Sequence, residues 1–403
     1  MKKITFLFLF ILLSVTLQAA QVIRGPYIED PTQTTMVMRW QTDAATPSWL
    51  EYGPAPRCNQ IMTLTPEGTQ HKAVLYGLVP NQDFCYNLYL YNQAKSGAQQ
   101  PITGTFRTLF SPERKIIKFL VMGATGAPIP TNEEGEVLPD EAAAGRSHLA
   151  ALMAQEKSDF VIHTGNLTYQ GLNDEADREF FLPFKEVLRH NPLFVALGPN
   201  EYGPARESRD SKPFLHANYS RFHSMSWSKA TPKYYSFDTA NARFIVLDTN
   251  VTEGAVWAPE LEEDSAQISW LKTTLAGAGE KWKIVVMHAP AYSSGVNGSN
   301  ETVAAALVKI FEDYRVNLVL QGGDNNYERT FPILRGENKP HGVTYMTIGT
   351  AAPAPTKRTN PMAETARFVS ARHYAAVKIV DRKLSVKVYN ERGKELDSFD
   401  LYL

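Results

Sequence analysis

Five short loops hold the residues that could do chemistry. Each follows an apolar run and sits on or beside a glycine. They read Gly123-Ala124-Thr125-Gly126, Gly165-Asn166-Leu167-Thr168-Tyr169, Gly198-Pro199-Asn200-Glu201, His288-Ala289-Pro290-Ala291-Tyr292-Ser293-Ser294-Gly295 and Gly322-Gly323-Asp324-Asn325-Asn326-Tyr327-Glu328-Arg329. An apolar run that ends in glycine and turn-forming polar residues is how a buried parallel strand delivers a loop to the carboxyl edge of an α/β sheet. Ligands and catalytic groups gather at such edges. His288 and Tyr169 could ligate a metal. The asparagines offer hydrogen bonds but neither charge nor a proton to give near neutral pH.

In this order the loops resemble those of the purple acid phosphatases, within the wider metallophosphoesterase (calcineurin-like phosphoesterase) group. The last loop of that family reads Gly-His-x-His-x-Tyr-Glu-Arg. Tyr327, Glu328 and Arg329 match it, while Gly323 and Asn325 stand at the histidine positions. The family's Gly-Asp-x-Gly keeps its glycines, but Ala124 replaces the metal-binding aspartate. Its Gly-Asp-x-x-Tyr keeps Gly165 and Tyr169, with Asn166 where an aspartate bridges two metals. Its Gly-Asn-His-Glu becomes Gly198-Pro199-Asn200-Glu201. Pro199 thus replaces a metal ligand, and Asn200 replaces the histidine that contacts phosphate and helps the leaving group. His288 matches the family's metal-binding histidine.

The resemblance implies seven ligand positions, of which only Tyr169 and His288 carry a competent donor. One metal would keep Asn166, Tyr169 and Asn325, and the other Asn166 and His288. Transition-metal sites ordinarily supply three or four N, S or carboxylate donors. An amide adds no negative charge to offset the repulsion between two cations. Without the ion, nothing lowers the pKa of a bound water from about 15.7 to about 7. The expectation is therefore an inactive relative with no metal and no catalytic residue. Its former cleft, lined by Asn166, Tyr169, Asn200, His288, Asn325 and Asn326, would bind a sugar, a phosphorylated compound or a protein. The alternative is an active acid phosphatase with iron, zinc or manganese at a rearranged or mononuclear site. Glu201, Asp324, His163, Asp238, His216 and His223 are the substitutes near enough in sequence to consider. A purely structural envelope protein is a third reading. On the inactive reading Gly123, Gly126, Gly165, Gly198 and Gly322 serve tight turns, His288 bonds Asn166 or Tyr169, and Glu328 pairs with Arg329.

The elements that must position these loops are buried strands at 116–122, 159–164, 192–197, 281–287 and 317–320. Helices are expected over 141–156 and 302–314. Residues 343–348 and a hairpin over 373–401 are expected to form the second sheet of an α/β two-sheet sandwich flanked by helices. Residues 21–109 hold short alternating strands between Pro- and Gly-containing turns, which reads as an all-β sandwich. This segment is similar to the fibronectin III-like domain that precedes many purple acid phosphatases; Arg24-Gly25-Pro26-Tyr27 and Gly77-Leu78-Val79-Pro80 carry the likeness. Phe84 stands at the corner-tyrosine position, and Trp40 and Trp49 read as packing residues. Residues 110–114 are the expected linker and 115–403 the metallophosphoesterase-like domain.

The 403 residues suffice for two or three domains. A net charge of −1 gives no general attraction to nucleic acid or an anionic membrane. Residues 1–20 combine Lys2-Lys3, an apolar run from Ile4 to Leu17 and the small residues Ala19-Ala20, the pattern of a secretory signal peptide. That run is short for a bilayer span, a membrane anchor being the alternative. The expectation is export to the periplasm or beyond, with no anchor after cleavage. Cys58 and Cys85 are the two cysteines. In an oxidising compartment they can bridge, two buried thiols being the other reading.

Overall fold

The computed structural model describes residues 20–91, 100–203, 207 and 234–403. Residues 1–19, which hold nearly all of the expected signal peptide, and His216 and His223 lie outside the described residues. Strands β1 (Val22–Glu29), β2 (Met36–Pro54), β3 (Ile61–Leu75), β4 (Asp83–Leu90) and β5 (Ile102–Arg107) form one hydrogen-bonded sheet. Strand β2 is long enough to serve twice. Residues 37–42 pair with β1 and residues 48–54 with β4. Strand β3 follows both halves, with register shifts around Thr46. The sheet thus folds over itself, and Ile28, Met38, Trp40, Tyr52, Phe84 and Phe106 share one core. Phe84 stacks on Phe106 at 5.4 Å and Trp49 on Tyr89 at 5.0 Å. The backbone tie that Phe84 cannot make is made from another strand: the Tyr52 hydroxyl donates to the Tyr76 carbonyl and accepts from its N–H, both at 3.1 Å. Cys58 and Cys85 are bridged, with Cα atoms 4.9 Å apart.

This β-rich unit is tied to the rest by polar and apolar contacts. Arg24 pairs with Asp177, and Arg107 bonds Asp159 at 2.8 Å. The Tyr86 hydroxyl donates to the Arg189 carbonyl at 3.1 Å. Tyr27 joins a core of the large domain, its ring 4.8 Å from that of Phe181.

Strand β6 (Ile116–Met122) opens the α/β domain. Ile117, Phe119 and Val121 face a core between two sheets, and Leu120 and Met122 face a second core with Leu149 and Met153 of helix α1 (Glu141–Met153). A strand buried on both faces must be apolar at both parities of its two-residue period. Strands β7 (Phe160–His163) and β8 (Leu193–Val195) continue this sheet in parallel. The other sheet is built on β9 (Tyr235–Thr239), β10 (Ala242–Val246), β11 (Trp282–Met287) and β12 (Leu318–Gln321). Helices α2 (Ala266–Ala276) and α3 (Glu301–Asp313) cover its outer face, with Leu271, Leu275, Val303 and Leu307 buried there.

Strand β13 (Tyr327–Thr330), the ribbon of β14 (Ile333–Leu334) and β15 (Glu337–Asn338), and β16 (Thr344–Ile348) follow, then β17 (Thr365–Val369). The first sheet ends as a meander of β18 (His373–Val380), β19 (Lys383–Asn390) and β20 (Glu395–Tyr402) beside β6. The expected grouping of residues 343–348 with the terminal hairpin is therefore corrected. Strand β16 pairs in parallel with β12, in the opposite sheet from β18–β20. All five of its residues are buried, which suits the middle of a helix-covered sheet rather than an edge meander.

Among the described residues no helix is long and apolar enough to cross a membrane. The Cys58–Cys85 bridge closes a separation of 27 residues. Replacing both cysteines with serine is expected to cost roughly 3–4 kcal/mol, by the chain entropy released to the unfolded state. Denaturant melts with and without the bridge measure it; an unchanged midpoint would contradict it.

Candidate functional site

The loops after β6, β7, β8, β11 and β12 meet at the carboxyl edges of the two sheets, knitted by backbone bonds. Thr125 N and Gly126 N both donate to the Asn166 carbonyl at 3.1 Å. Thr164 Oγ1 donates to the Ile348 carbonyl at 2.8 Å, crossing from one sheet to the other. His288 lies at the centre of this convergence. Its Nδ1 faces the Thr164 carbonyl at 2.7 Å. A carbonyl can only accept, so Nδ1 carries the proton and Nε2 keeps its lone pair. Metal-ligating histidines are commonly held by such an Nδ1–H to carbonyl bond, so the ring retains the posture of a ligand. This corrects the expected partner: His288 bonds neither Asn166 nor Tyr169. Burial pushes its pKa down, against the pull of the Thr164 bond.

The turns around the ring leave no room for side chains. A Cβ on Gly165 would fall 2.6 Å from His288 Nδ1, and one on Gly198 would fall 2.9 Å from its Cε1. Gly165 also has φ +100°, open to glycine and strained for other residues. Gly323, at a family histidine position, has φ +83°, and a Cβ there would lie 2.5 Å from Pro290 Cδ. The backbone of this loop is shaped for glycine.

Glu201 fastens two of the loops. Its buried carboxylate accepts from Asn166 N at 2.9 Å, Leu167 N at 2.7 Å and Gly198 N at 2.7 Å. Burial pushes its pKa up to about 7, against the backbone N–H groups that favour the charged form. His163 is also structural: its Nδ1 accepts from Gly165 N at 3.0 Å, and its Nε2 lies 3.3 Å from Thr125 Oγ1. Burial, with His288 nearby, lowers its pKa to about 3. Asp324 is buried and accepts from Ser293 Oγ at 2.5 Å and Asn297 N at 2.8 Å. Asp238 sits on β9, paired with Arg243 at 2.7 Å and Lys281 at 2.6 Å. The expected Glu328–Arg329 pair is corrected as well. Glu328 accepts from Ser294 N and Thr365 Oγ1, both at 2.7 Å, while Arg329 bonds Asp397 at 2.8 Å. Neighbours on a strand point to opposite faces, so these two meet different partners.

A cleft of about 540 Å³ opens beside this frame. Ala124, Asn166, Tyr169, Asn200 and Asn325 line it. His288 and Asn326, expected in the cleft, do not line it; His288 is enclosed by the glycine turns and Asn326 is buried behind its own loop. Pro199 starts a 3-10 turn over Pro199–Tyr202, and neither it nor Gly323 lines the cleft. The rest of the wall comes from segments that carry no motif: Pro128, Pro130, Pro139, Asp140, Glu141, Pro353 and Arg372. Pro128, Pro130, Pro139 and Asp140 lie between β6 and α1, Glu141 opens α1, and Pro353 and Arg372 come from much later in the chain. Asn166 has φ +60°, which asparagine tolerates, and its Oδ1 accepts from Asn200 N at 3.1 Å.

This donor set does not fit two transition metals. Ala124, Pro199 and Gly323 offer no side-chain donor, and the Asn166 oxygen is already engaged. Among the described residues, no three His, Cys, Asp or Glu side chains come together as a group that could hold a metal ion.

His163 and His373 are neutral rings with folded pKa values of about 3 and about 4. Their contribution to stability is whole above about 6.5 and is lost as pH falls through those values. Glu201 runs the other way, its contribution being lost as pH rises from about 4.5 through 7. A melting curve mixes the two trends, whereas ring resonances separate them. The imidazole NMR signals of His163 and His373 are expected to keep their neutral positions down to about pH 5. Midpoints near 6.5 would contradict their burial.

Residues 140–326 match the calcineurin-like phosphoesterase family. Purple acid phosphatase 21 of Arabidopsis thaliana is 28% identical over 198 residues, 47% of this chain and 43% of that protein. The match thus spans less than half the length of this curated relative. The purple acid phosphatase PPD1 from yellow lupin (Lupinus luteus) seeds has a similar structure, with a TM-score of 0.73 and 17% identity over 95% of this chain and 74% of that one. GAP50, described as the anchor in the inner membrane complex of Plasmodium, has a TM-score of 0.55 and 17% identity over 72% of this chain and 90% of that one. The family match, the relatives and the order of the five loops together make this chain similar to the purple acid phosphatases and, more widely, to the calcineurin-like phosphoesterases.

Proposed function

We propose that this chain has lost dinuclear-metal phosphoesterase activity and works by binding, through its former cleft or its N-terminal β-rich unit. The observation that carries this reading is the donor inventory at the loop tips. Five of the seven family ligand positions hold Ala124, Asn166, Pro199, Gly323 and Asn325. Phosphoryl transfer depends on positioning and on charge stabilisation, with little covalent chemistry for the protein to do. Removing the metals removes both the charge clamp and the activated hydroxide. The Asn200 amide cannot protonate a leaving group as a histidine would.

The glycine geometry at position 323 supports the same reading, because the loop has settled into a backbone that a histidine would strain. GAP50 supports it by analogy: the fold also serves a protein described as an anchor. The N-terminal unit is read as fibronectin III-like, which suits an interaction role. The charged and apolar pattern of residues 1–20 supports export through a signal peptide.

Restoring ligands tests the reading. Asn166→Asp alone is expected to leave hydrolysis of an aryl phosphate at background with iron, zinc or manganese. A gain of about tenfold or more would point to a weakened but working metal site, since one carboxylate cannot rescue a site short of several donors. Gly323→His is expected to destabilise the fold by about 1–2 kcal/mol, from the left-handed backbone alone. Equal stability would contradict the backbone argument.

A further inference from the structure

Charge and unfilled hydrogen bonds in the cleft say what it would hold. Asn166 Nδ2, Asn200 Oδ1 and both amide atoms of Asn325 make no hydrogen bond within the described residues. They supply donors and acceptors together and no charge. Tyr169 is 41% exposed at the rim, presenting its ring to solvent. Pro128, Pro130, Pro139 and Pro353 add apolar ring surface. The charged groups on the wall are Asp140, Glu141 and Arg372. Arg372 is partly engaged, with Nε on the Ala352 carbonyl at 2.7 Å and Nη1 3.4 Å from Glu391, which offsets its charge. Asp140 caps α1 by accepting from Ala143 N at 2.9 Å, so the helix end is satisfied. A phosphate group entering here would face two carboxylates and one arginine already paired with Glu391.

We infer that the cleft takes an uncharged carbohydrate, with hydroxyls on the three amides and an apolar ring face against Tyr169. Sugars carry paired donor–acceptor hydroxyls around a C–H face, which matches amides beside an aromatic ring. The volume lies within the range of small-molecule sites. This inference rests on the non-catalytic reading above.

The experiment is saturation-transfer NMR on the full mature chain, with maltose, cellobiose, lactose and N,N′-diacetylchitobiose, and with inorganic phosphate as the charged probe. At least one saccharide is expected to bind with a Kd of about a millimolar or tighter, and phosphate not to compete with it. Tyr169→Ala is expected to weaken that binding by roughly threefold to tenfold, the worth of one aromatic contact. Asn325→Leu should weaken it while leaving the melting point unchanged, since the Asn325 side chain makes no internal bond. No saccharide binding, or binding of phosphate alone, would overturn the inference. Loss of the non-catalytic reading would register elsewhere, as metal-dependent turnover of an aryl phosphate.

Discussion

The ring of His288 is the post around which the site closes. Turns from three strands approach it so tightly that side chains on Gly165, Gly198 or Gly322 would come within 3.0 Å of it. The Thr164 carbonyl fixes its tautomer, and Thr164 Oγ1 in turn holds the opposite sheet through Ile348. This arrangement requires glycine backbones and one buried imidazole. Beyond His288 it requires none of the family's ligand side chains. The frame and the donors therefore answer to different constraints, and this chain has kept the first with only Tyr169 and His288 of the second.

Glu201 shows how the frame survives. A buried carboxylate that accepts three backbone N–H groups from two loops cannot be lost cheaply, because each orphaned donor costs about 1–3 kcal/mol. Selection for folding alone preserves such a residue. Tyr169 and Asn325 line the cleft with side chains that make no bond within the described residues, so they are free to follow whatever the cleft now binds, whereas Asn200 also ties its loop to the Thr168 carbonyl at 3.0 Å. The same division explains Glu328 and Arg329. They match a family motif, yet each serves its own network, one around Ser294 and the other at Asp397.

Much of this was legible in the sequence, because strand-to-loop transitions announce themselves as apolar runs ending in glycine. The order of the loops, the apolar strands and the absence of donors could all be read directly. Four things could not. The sheet that β16 joins depends on which parallel partner it finds, and burial on both faces looks the same in either sheet. Asn325 and Asn326 are adjacent, yet one lines the cleft and the other is buried, a difference set by the local backbone. The walls from Pro128 to Glu141, with Pro353 and Arg372, come from segments far apart in sequence that carry no motif of their own. The left-handed backbone at Gly323 was equally hidden, since glycine permits φ of either sign.

The central claim is that the site no longer holds metal. The most direct measurement is the metal content of the purified mature protein after incubation with iron, zinc and manganese and removal of free ions. The account predicts less than about 0.1 metal per chain, given a site with too few charged or nitrogen donors. One or more tightly held ions per chain would contradict it, and would mean that residues outside the family's positions have rebuilt the site.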